Sequence, residues 1–425
     1  MKIMVIGGGG REHAIIRKLK EDPRVEVIYA LPGNGGIAAD AVCVPIGAKD
    51  IFGMVNFAQK EAIDFAVVAP DDPLALGAVD ALNAVGIPCF GPNRAAARIE
   101  SSKVFAKDLM ARYGIPTAAC HVFDDKMEAL RYVDSCPLPT VIKADGLALG
   151  KGVIIATTRA EAVLAVRSMM EEKVFGDSGT RVVVEEFLTG PEVSVLSFTD
   201  GETIVPMVSS MDHKRAHDGD QGPNTGGMGT VAPNPYYTPE MAQRCMEEIF
   251  LPTIRAMKAE GCPFKGCLYF GLMLTENGPK VIEYNCRFGD PETQVVLPLL
   301  EGSLLEIMLA TAEGRLHEVP VKFRDGAACC VVLASKGYPK SYEKGYPITL
   351  PALQSGEEIY IAGAEEKDGQ LLTSGGRVLG AVAVGDDLPK AVSAAYALAD
   401  RIHFDNAFCR RDIGRRALEA LGGKK

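Results

Sequence analysis

No stretch of the 425 residues reaches the roughly 18 consecutive apolar positions of a membrane span. The first apolar segment, residues 3–6, is too short for a signal-peptide core and runs directly into glycines. Positive charge is also in deficit: 45 Lys and Arg stand against 55 Asp and Glu, a formal net charge of −10. That deficit removes the electrostatic footprint of a general nucleic-acid or membrane-surface binder, while a local basic pocket for an anionic small molecule stays open. The eleven cysteines, an odd number, form no Cys-X-X-Cys pair and have no histidine cluster beside them. A zinc site or disulfide framework is therefore not expected; reduced, mostly buried thiols in a cytoplasmic protein are. No internal repeat is present. At 24% charged and 47% hydrophobic residues, what remains is a soluble globular composition, which excludes disordered and collagen-like classes. At about 150 residues per domain the length predicts roughly three units, each large enough for its own core.

Short apolar runs at residues 3–6, 25–29, 42–46, 65–69 and 87–90 alternate with helical stretches from about Glu12, at 51–60 and at 74–85. This alternation calls for right-handed crossovers and an open parallel sheet covered on both faces, to about residue 100. A helical connector at 104–112 ends at Gly114 and Pro116. Strands at 140–143, 153–156 and 182–186, with helices at 126–133 and 159–172, predict a compact α+β module suited to a mobile lid. Strands at 193–198 and 204–208 lead into 209–239, which shows little regular pattern but carries ligand-type residues. A long helix at 240–260, a hairpin at 266–274 and 280–284 turning at Asn277-Gly278, and a helix at 304–312 follow. The last hundred residues alternate again, with strands at 329–334, 359–362 and 378–384 and a helix at 390–402.

Four segments carry chemistry. Gly7-Gly8-Gly9-Gly10 sits between a strand and a helix, so it is either a tight turn or a backbone cradle for phosphate. A dinucleotide site fits less well, because the Gly-X-Gly-X-X-Gly frames end at Glu12 or His13 and the second strand lacks a ribose-binding acid. The loop from Lys143 to Gly152, with glycines at 146, 150 and 152 and lysines at both ends, can close over a nucleotide, or be a plain hairpin; it is not a Walker A loop. Glu185 and Glu186 end a strand, with Leu188 and Glu192 beyond; alone they read as solvated edge residues, and opposite the glycine loop they can bind adenine and ribose. Glu283 and Asn285 share a strand face as hard oxygen ligands for a phosphate-bound Mg²⁺, and Arg287 continues that face as a phosphate clamp. The six histidines lack metal spacing, and only His213 lies in a ligand-like loop.

Together with Asp212-His213-Lys214-Arg215, Gly222-Pro223-Asn224-Thr225-Gly226-Gly227-Met228-Gly229 and Asn285-Cys286-Arg287-Phe288-Gly289-Asp290-Pro291-Glu292-Thr293, these segments span almost the whole chain. On them the chain resembles the phosphoribosylamine–glycine ligases, ATP-grasp enzymes of purine biosynthesis. The resemblance implies an N-terminal α/β domain (1–100), an ATP-grasp domain (101–320, lid about 120–188) and a C-terminal α+β domain (321–425). It implies that ATP phosphorylates the glycine carboxylate and that the amine of 5-phosphoribosylamine then attacks, giving glycinamide ribonucleotide, ADP and phosphate.

By the same resemblance, Lys103, Lys143, Gly146, Gly150, Lys151 and Gly152 bind the nucleotide phosphates. Glu185, Glu186 and Leu188 hold adenine, and Glu192 the ribose. Glu283 and Asn285 bind Mg²⁺ or Mn²⁺, and Arg287, Asp212 and Lys214 serve catalysis. Arg215, Asn224, Thr225, Gly226, Gly227 and Asp290 bind glycine and the intermediate; Gly9, Gly10, Asn34 and Asp71 face phosphoribosylamine. A monomer acting on small molecules, without nucleic acid or membrane partners, is expected. The chain departs from the family pattern at Gly8, Leu149 and Asp71-Asp72, and the strand around Tyr269 lacks the acid that wider ATP-grasp enzymes carry. The competing readings are an ATP-grasp ligase for a different acid, a dinucleotide oxidoreductase and a non-catalytic nucleotide binder.

Overall fold

The computed structural model describes residues 1–148 and 152–422. Expectations on Gly150, Lys151 and Leu149 fall outside the described residues. Five parallel strands, Lys2–Gly7, Val27–Pro32, Val42–Cys43, Phe65–Val68 and Cys89–Phe90, form an open sheet in the order third, second, first, fourth, fifth. Ile3 to Ile6 are fully buried because helices cover both faces. In this order the first strand is a topological switch point, so the crevice beyond its carboxyl end is the natural ligand position. The four-glycine turn occupies it and enters the helix Gly10–Lys20. The single helix predicted at 74–85 is two, Asp71–Leu76 and Ala78–Ala84, because Gly77 at φ +90° breaks the run in a left-handed conformation.

The strands Cys120–Phe123, Val182–Glu186, Thr140–Ala144 and Val153–Ala156, in that spatial order, form an antiparallel sheet backed by helices Lys126–Val133 and Arg159–Met170. Ile142, Val166, Met169 and Val184 give this module a core separate from the body's. Beside it the strands Ile204–Pro206, Glu192–Thr199, Gly266–Thr275 and Gly278–Asn285 make a second antiparallel sheet. The hairpin turns at Glu276-Asn277 rather than at Asn277-Gly278; Gly278, at φ +116°, is already paired with Thr275. The helix predicted at 240–260 consists of Pro239–Cys245, a wide π turn at Met246–Phe250, and Leu251–Ala259. Pro252 lacks an N–H and its ring crowds the carbonyl one turn earlier, and the widened turn accommodates both.

The C-terminal sheet orders Met211–Asp212, Gly229–Ala232, Ala327–Ser335, Arg377–Gly385 and Glu357–Ile361, with Ala407–Phe408 also paired to Ala327–Ser335. Two of these strands, and the small hairpin Arg215–His217 with Gln221–Asn224, lie in the stretch read as irregular. That reading is corrected: the stretch is stitched into the far sheet and carries its ligand-type residues with it. No helix among the described residues is long and apolar enough to cross a membrane.

Candidate active site

The junction between the module and the central sheet is built on two buried lysines and one acid. Lys143 Nζ lies 2.9 Å from Glu185 Oε2 and donates to the Ile282 carbonyl at 2.9 Å. That carbonyl is available because the ladder slips at Ile282, between the Gly271–Glu283 and Leu272–Val281 pairs. Lys107 Nζ sits 3.3 Å from the other Glu185 oxygen and donates to Thr117 Oγ1 and the Ala118 carbonyl. Lys107 was missed in the sequence, although it lies one helical turn beyond Lys103 on the same face. Lys103 Nζ donates to the Gly146 carbonyl at 3.1 Å, and burial lowers its pKa against the pull of Glu283. Glu186 accepts from Lys280 Nζ (2.9 Å) and the Ala119 N–H (3.1 Å), Leu188 is half-buried, and Glu192 is exposed 3.5 Å from Lys214.

Glu283 and Asn285 point to one side of their strand, as their spacing predicts. Arg287 Nη2 donates to Asn285 Oδ1 at 3.3 Å and pairs with Glu100 Oε1 at 3.0 Å. Glu100 Oε2 accepts the Cys286 N–H at 2.7 Å, so an acid absent from the sequence reading orients the clamp. Arg287 Nε is buried without a hydrogen-bond partner among the described residues. Lys214 Nζ lies 3.5 Å from Glu283 Oε1, and its charge, with those of Lys143, Lys103 and Arg287, holds the Glu283 carboxyl below its usual range despite burial. The donor set fits a magnesium-like ion: one ionised carboxylate and one amide oxygen, leaving the remaining positions to phosphate and water. No group of three or more acid, His or Cys ligands exists among the described residues.

Asp212 accepts its neighbour's N–H at 2.7 Å, and burial together with Glu292 pushes its carboxyl well above the usual range. Glu292, part of the sequence motif but given no role there, is buried and accepts from Tyr269 Oη at 3.1 Å. The loop beyond is pinned: the Thr225 N–H and Oγ1 donate to the Lys214 carbonyl, and Gly227 N–H donates to Thr225 Oγ1. Arg215 Nη1 donates to the Gly222 carbonyl and the residue pairs across the hairpin with Asn224. Asp290 accepts from Gln294 Nε2 at 2.8 Å; burial raises its pKa, but Arg377 and Arg11 outweigh this and keep it low.

The glycine turn meets this cluster edge-on. A Cβ on Gly9 would lie 3.4 Å from Asp290 Oδ2, and one on Gly10 2.7 Å from Gln294 Nε2. Gly9 N–H already donates to Glu12 Oε2 at 2.6 Å, so one amide of the supposed phosphate cradle is capped by the helix's own acid. A Cβ on Gly8 would sit 2.3 Å from the Gly33 carbonyl, so the departure there permits a close backbone approach. Asn34 stands beside it with its side chain fully engaged, donating to the Gly8 and Ile361 carbonyls and accepting from Gly36 and Ile37 N–H. Asp71 lies near enough to act on the charges of Glu100 and Arg287, whereas Asp72 pairs outward with Lys49 at 2.7 Å. A cavity of about 500 Å³ between the N-terminal domain and the module is lined by Asp72, Ser101, Asp145, Gly146 and Arg181. It adjoins the glycine loop; Glu283 and Arg287 do not line it.

His213 is structural. Its Nδ1 faces the Gly229 carbonyl at 3.1 Å and its Nε2 accepts from Gly414 N–H at 3.1 Å, which fixes a neutral ring. Burial, with Arg410 nearby, lowers its pKa to about 4. The unfolded chain takes up that proton first as the pH falls, so this contribution is intact above about 6.5 and is lost on the way down to 4. The expected loss is about 3 kcal/mol. Chemical denaturation between pH 7 and 4 should show this slope flattened in His213→Gln.

Comparison with known proteins decides the family. The N-domain, ATP-grasp (A) domain and C-domain models of phosphoribosylglycinamide synthetase match residues 1–100, 101–293 and 328–416. The chain belongs to the phosphoribosylglycinamide synthetase family. A phosphoribosylamine–glycine ligase of Agrobacterium fabrum is 49% identical over 98% of this chain and 99% of its own length; one of Escherichia coli is 47% identical over 99% of both. The crystal structure of the Thermotoga maritima phosphoribosylamine–glycine ligase superposes with a TM-score of 0.86 at 36% identity, covering 97% of this chain and all of that one. A biotin carboxylase from Campylobacter jejuni, at 16% identity and TM-score 0.74 over 96% and 92% of the two chains, shares the fold. The architecture is thus that of a synthetase of this family: an N-terminal parallel sheet, an ATP-grasp body and a C-terminal domain.

Proposed function

We propose that the protein joins glycine to 5-phosphoribosylamine at the expense of ATP, through glycyl phosphate. A glycine carboxylate oxygen attacks the γ-phosphorus and ADP leaves; the amine then attacks the acyl carbon, the C–N bond forms and phosphate departs. The observation that carries this reading is the convergence of Lys103, Lys143, Lys214 and Arg287 on the Glu283–Asn285 pair, beside the Asp212 and Gly226–Gly227 loop. Phosphoryl transfer of this kind needs charge neutralisation and positioning more than a strong base. Glu283 and Asn285 would hold Mg²⁺ or Mn²⁺, which when bound offsets phosphate charge. Arg287 steadies the transferring group, and Lys143, held by Glu185 and the Ile282 carbonyl, is set towards the nucleotide.

In this reading Gly146, Gly150, Lys151 and Gly152 cover the phosphates, Glu185, Glu186 and Leu188 take adenine, and Glu192 takes the ribose. Arg215, Asn224, Thr225 and Asp290 surround glycine and the acyl phosphate, while Gly9, Gly10 and Asp71 face the amine substrate, with Asn34 shaping that wall through its backbone links. The chain divides at about residues 100 and 320, and the module at about 120–188 closes as a lid, because an acyl phosphate hydrolyses in water. The same reading takes the protein as a cytoplasmic monomer, and its free, mostly buried cysteines support a reducing compartment. ADP release should require both glycine and freshly generated phosphoribosylamine. Turnover supported better by another acid with the same amine would defeat the substrate assignment in favour of a different ATP-grasp ligase.

A further inference from the structure

Arg377 opens the strand Arg377–Gly385 of the far C-terminal sheet, yet its side chain reaches back to the site. Its Nη1 donates to the carbonyls of Gly226 (2.7 Å), Asp290 (2.9 Å) and Gly227 (3.3 Å), and Nη2 lies 3.5 Å from Asp290 Oδ2. Two loops distant in sequence thus converge on one guanidinium. The fit is tight on each side: a Cβ on Gly226 would come within 2.9 Å of Arg377 Cζ. One on Gly227, at φ +114°, would meet Pro291 Cδ at 2.5 Å and Asp212 Oδ1 at 2.7 Å. Tyr338 Oη, from the same C-terminal domain, accepts the Gly226 N–H at 3.1 Å. The backbone between Asp212 and Asp290 therefore has no slack.

We propose that Arg377 is the positioning residue that sets the dimensions of the amino-acid pocket. It fastens the Gly226–Gly227 backbone to Asp290, so that a substrate with no side chain is gripped between fixed groups. This rests on the assignment of that loop and Asp290 to glycine. A guanidinium suits this geometry because Nη1 sits among the three carbonyls while Nη2 turns to the Asp290 carboxylate 3.5 Å away, and a single ammonium nitrogen cannot occupy both places. Because the guanidinium acts through the loop and touches no reacting atom, its loss should appear in amino-acid binding and leave the nucleotide side unchanged.

The test is steady-state kinetics of Arg377→Gln and Arg377→Lys, with ATP affinity by calorimetry and thermal unfolding alongside. The expected result for Arg377→Gln is a glycine KM raised about 10- to 100-fold with ATP affinity within about twofold of wild type, and partial recovery in Arg377→Lys. Gly226→Ala, which displaces the guanidinium while keeping its charge, should raise the glycine KM in the same direction and serves if Arg377→Gln does not fold. An unchanged glycine KM in either folded variant, or a parallel rise in glycine and ATP constants with a lowered melting temperature, overturns the proposal. Absence of glycine-dependent ADP release in the wild type would overturn the functional reading, and this proposal with it.

Discussion

Glu283→Gln is expected to fold normally and to lose metal-dependent turnover by on the order of a hundredfold to a thousandfold. The substitution keeps the shape of the side chain and removes its charge, at the point where Lys214, Lys143, Lys103 and Arg287 all act. Lys214 is the nearest, 3.5 Å away. In the resting protein that ammonium offsets the carboxylate; with the carboxylate neutralised, the cluster of cations loses its centre and repels a divalent ion. Nucleotide should still bind through Lys103 and Lys143, whose contacts to the Gly146 and Ile282 carbonyls are untouched. Magnesium titrations at fixed ATP, with melting curves as the control for folding, check this. Turnover and magnesium dependence like those of wild type would remove Glu283 from the metal site, and with it the reading of Asn285 beside it.

Much of this arrangement was legible because it is local. The period-two spacing of Glu283 and Asn285 on a strand, and the glycines after the first apolar run, fix which side chains share a face or a turn. The parallel sheet followed from four-to-five-residue apolar runs separated by helix-length segments, and Ile3 to Ile6 are indeed buried on both faces. What the sequence concealed is non-local. Met211–Asp212 and Gly229–Ala232 are too short and polar to show alternation, and their partner strand Ala327–Ser335 lies far along the chain. Glu100 and Arg377 had no motif around them: one ends a helix of the N-terminal region and the other starts a C-terminal strand, and only tertiary packing brings them to Arg287 and Asp290. Lys107 is the exception, since the helical repeat from Lys103 would have found it. At the four-glycine turn the local rule for phosphate binding did not reveal that Glu12, three residues beyond Gly9, caps one of the amides.

Glu185→Gln should be the most destabilising single change at the site. The carboxylate is 4% exposed and is shared by two ammonium groups that are as deeply buried, Lys143 at 2.9 Å and Lys107 at 3.3 Å. Removing one member of such a cluster leaves uncompensated charge in a poorly solvated place, at a cost of about 3–5 kcal/mol. Burial already lowers the Lys107 pKa, and loss of its counter-charge lowers it further. The other contacts of the lysines, to the Ile282 and Ala118 carbonyls and Thr117, offset part of the penalty without neutralising it. A second substitution separates stability from function. Adding Lys107→Met removes one of the stranded charges and should restore most of the unfolding free energy measured in urea. It should not restore ATP affinity, which is expected to fall about 10- to 100-fold and to stay there, because the acid that orients Lys143 is still missing. Recovery of both quantities together would make Glu185 a purely structural counter-ion. Loss of affinity without loss of stability would mean that the two lysines find other partners when the acid is gone.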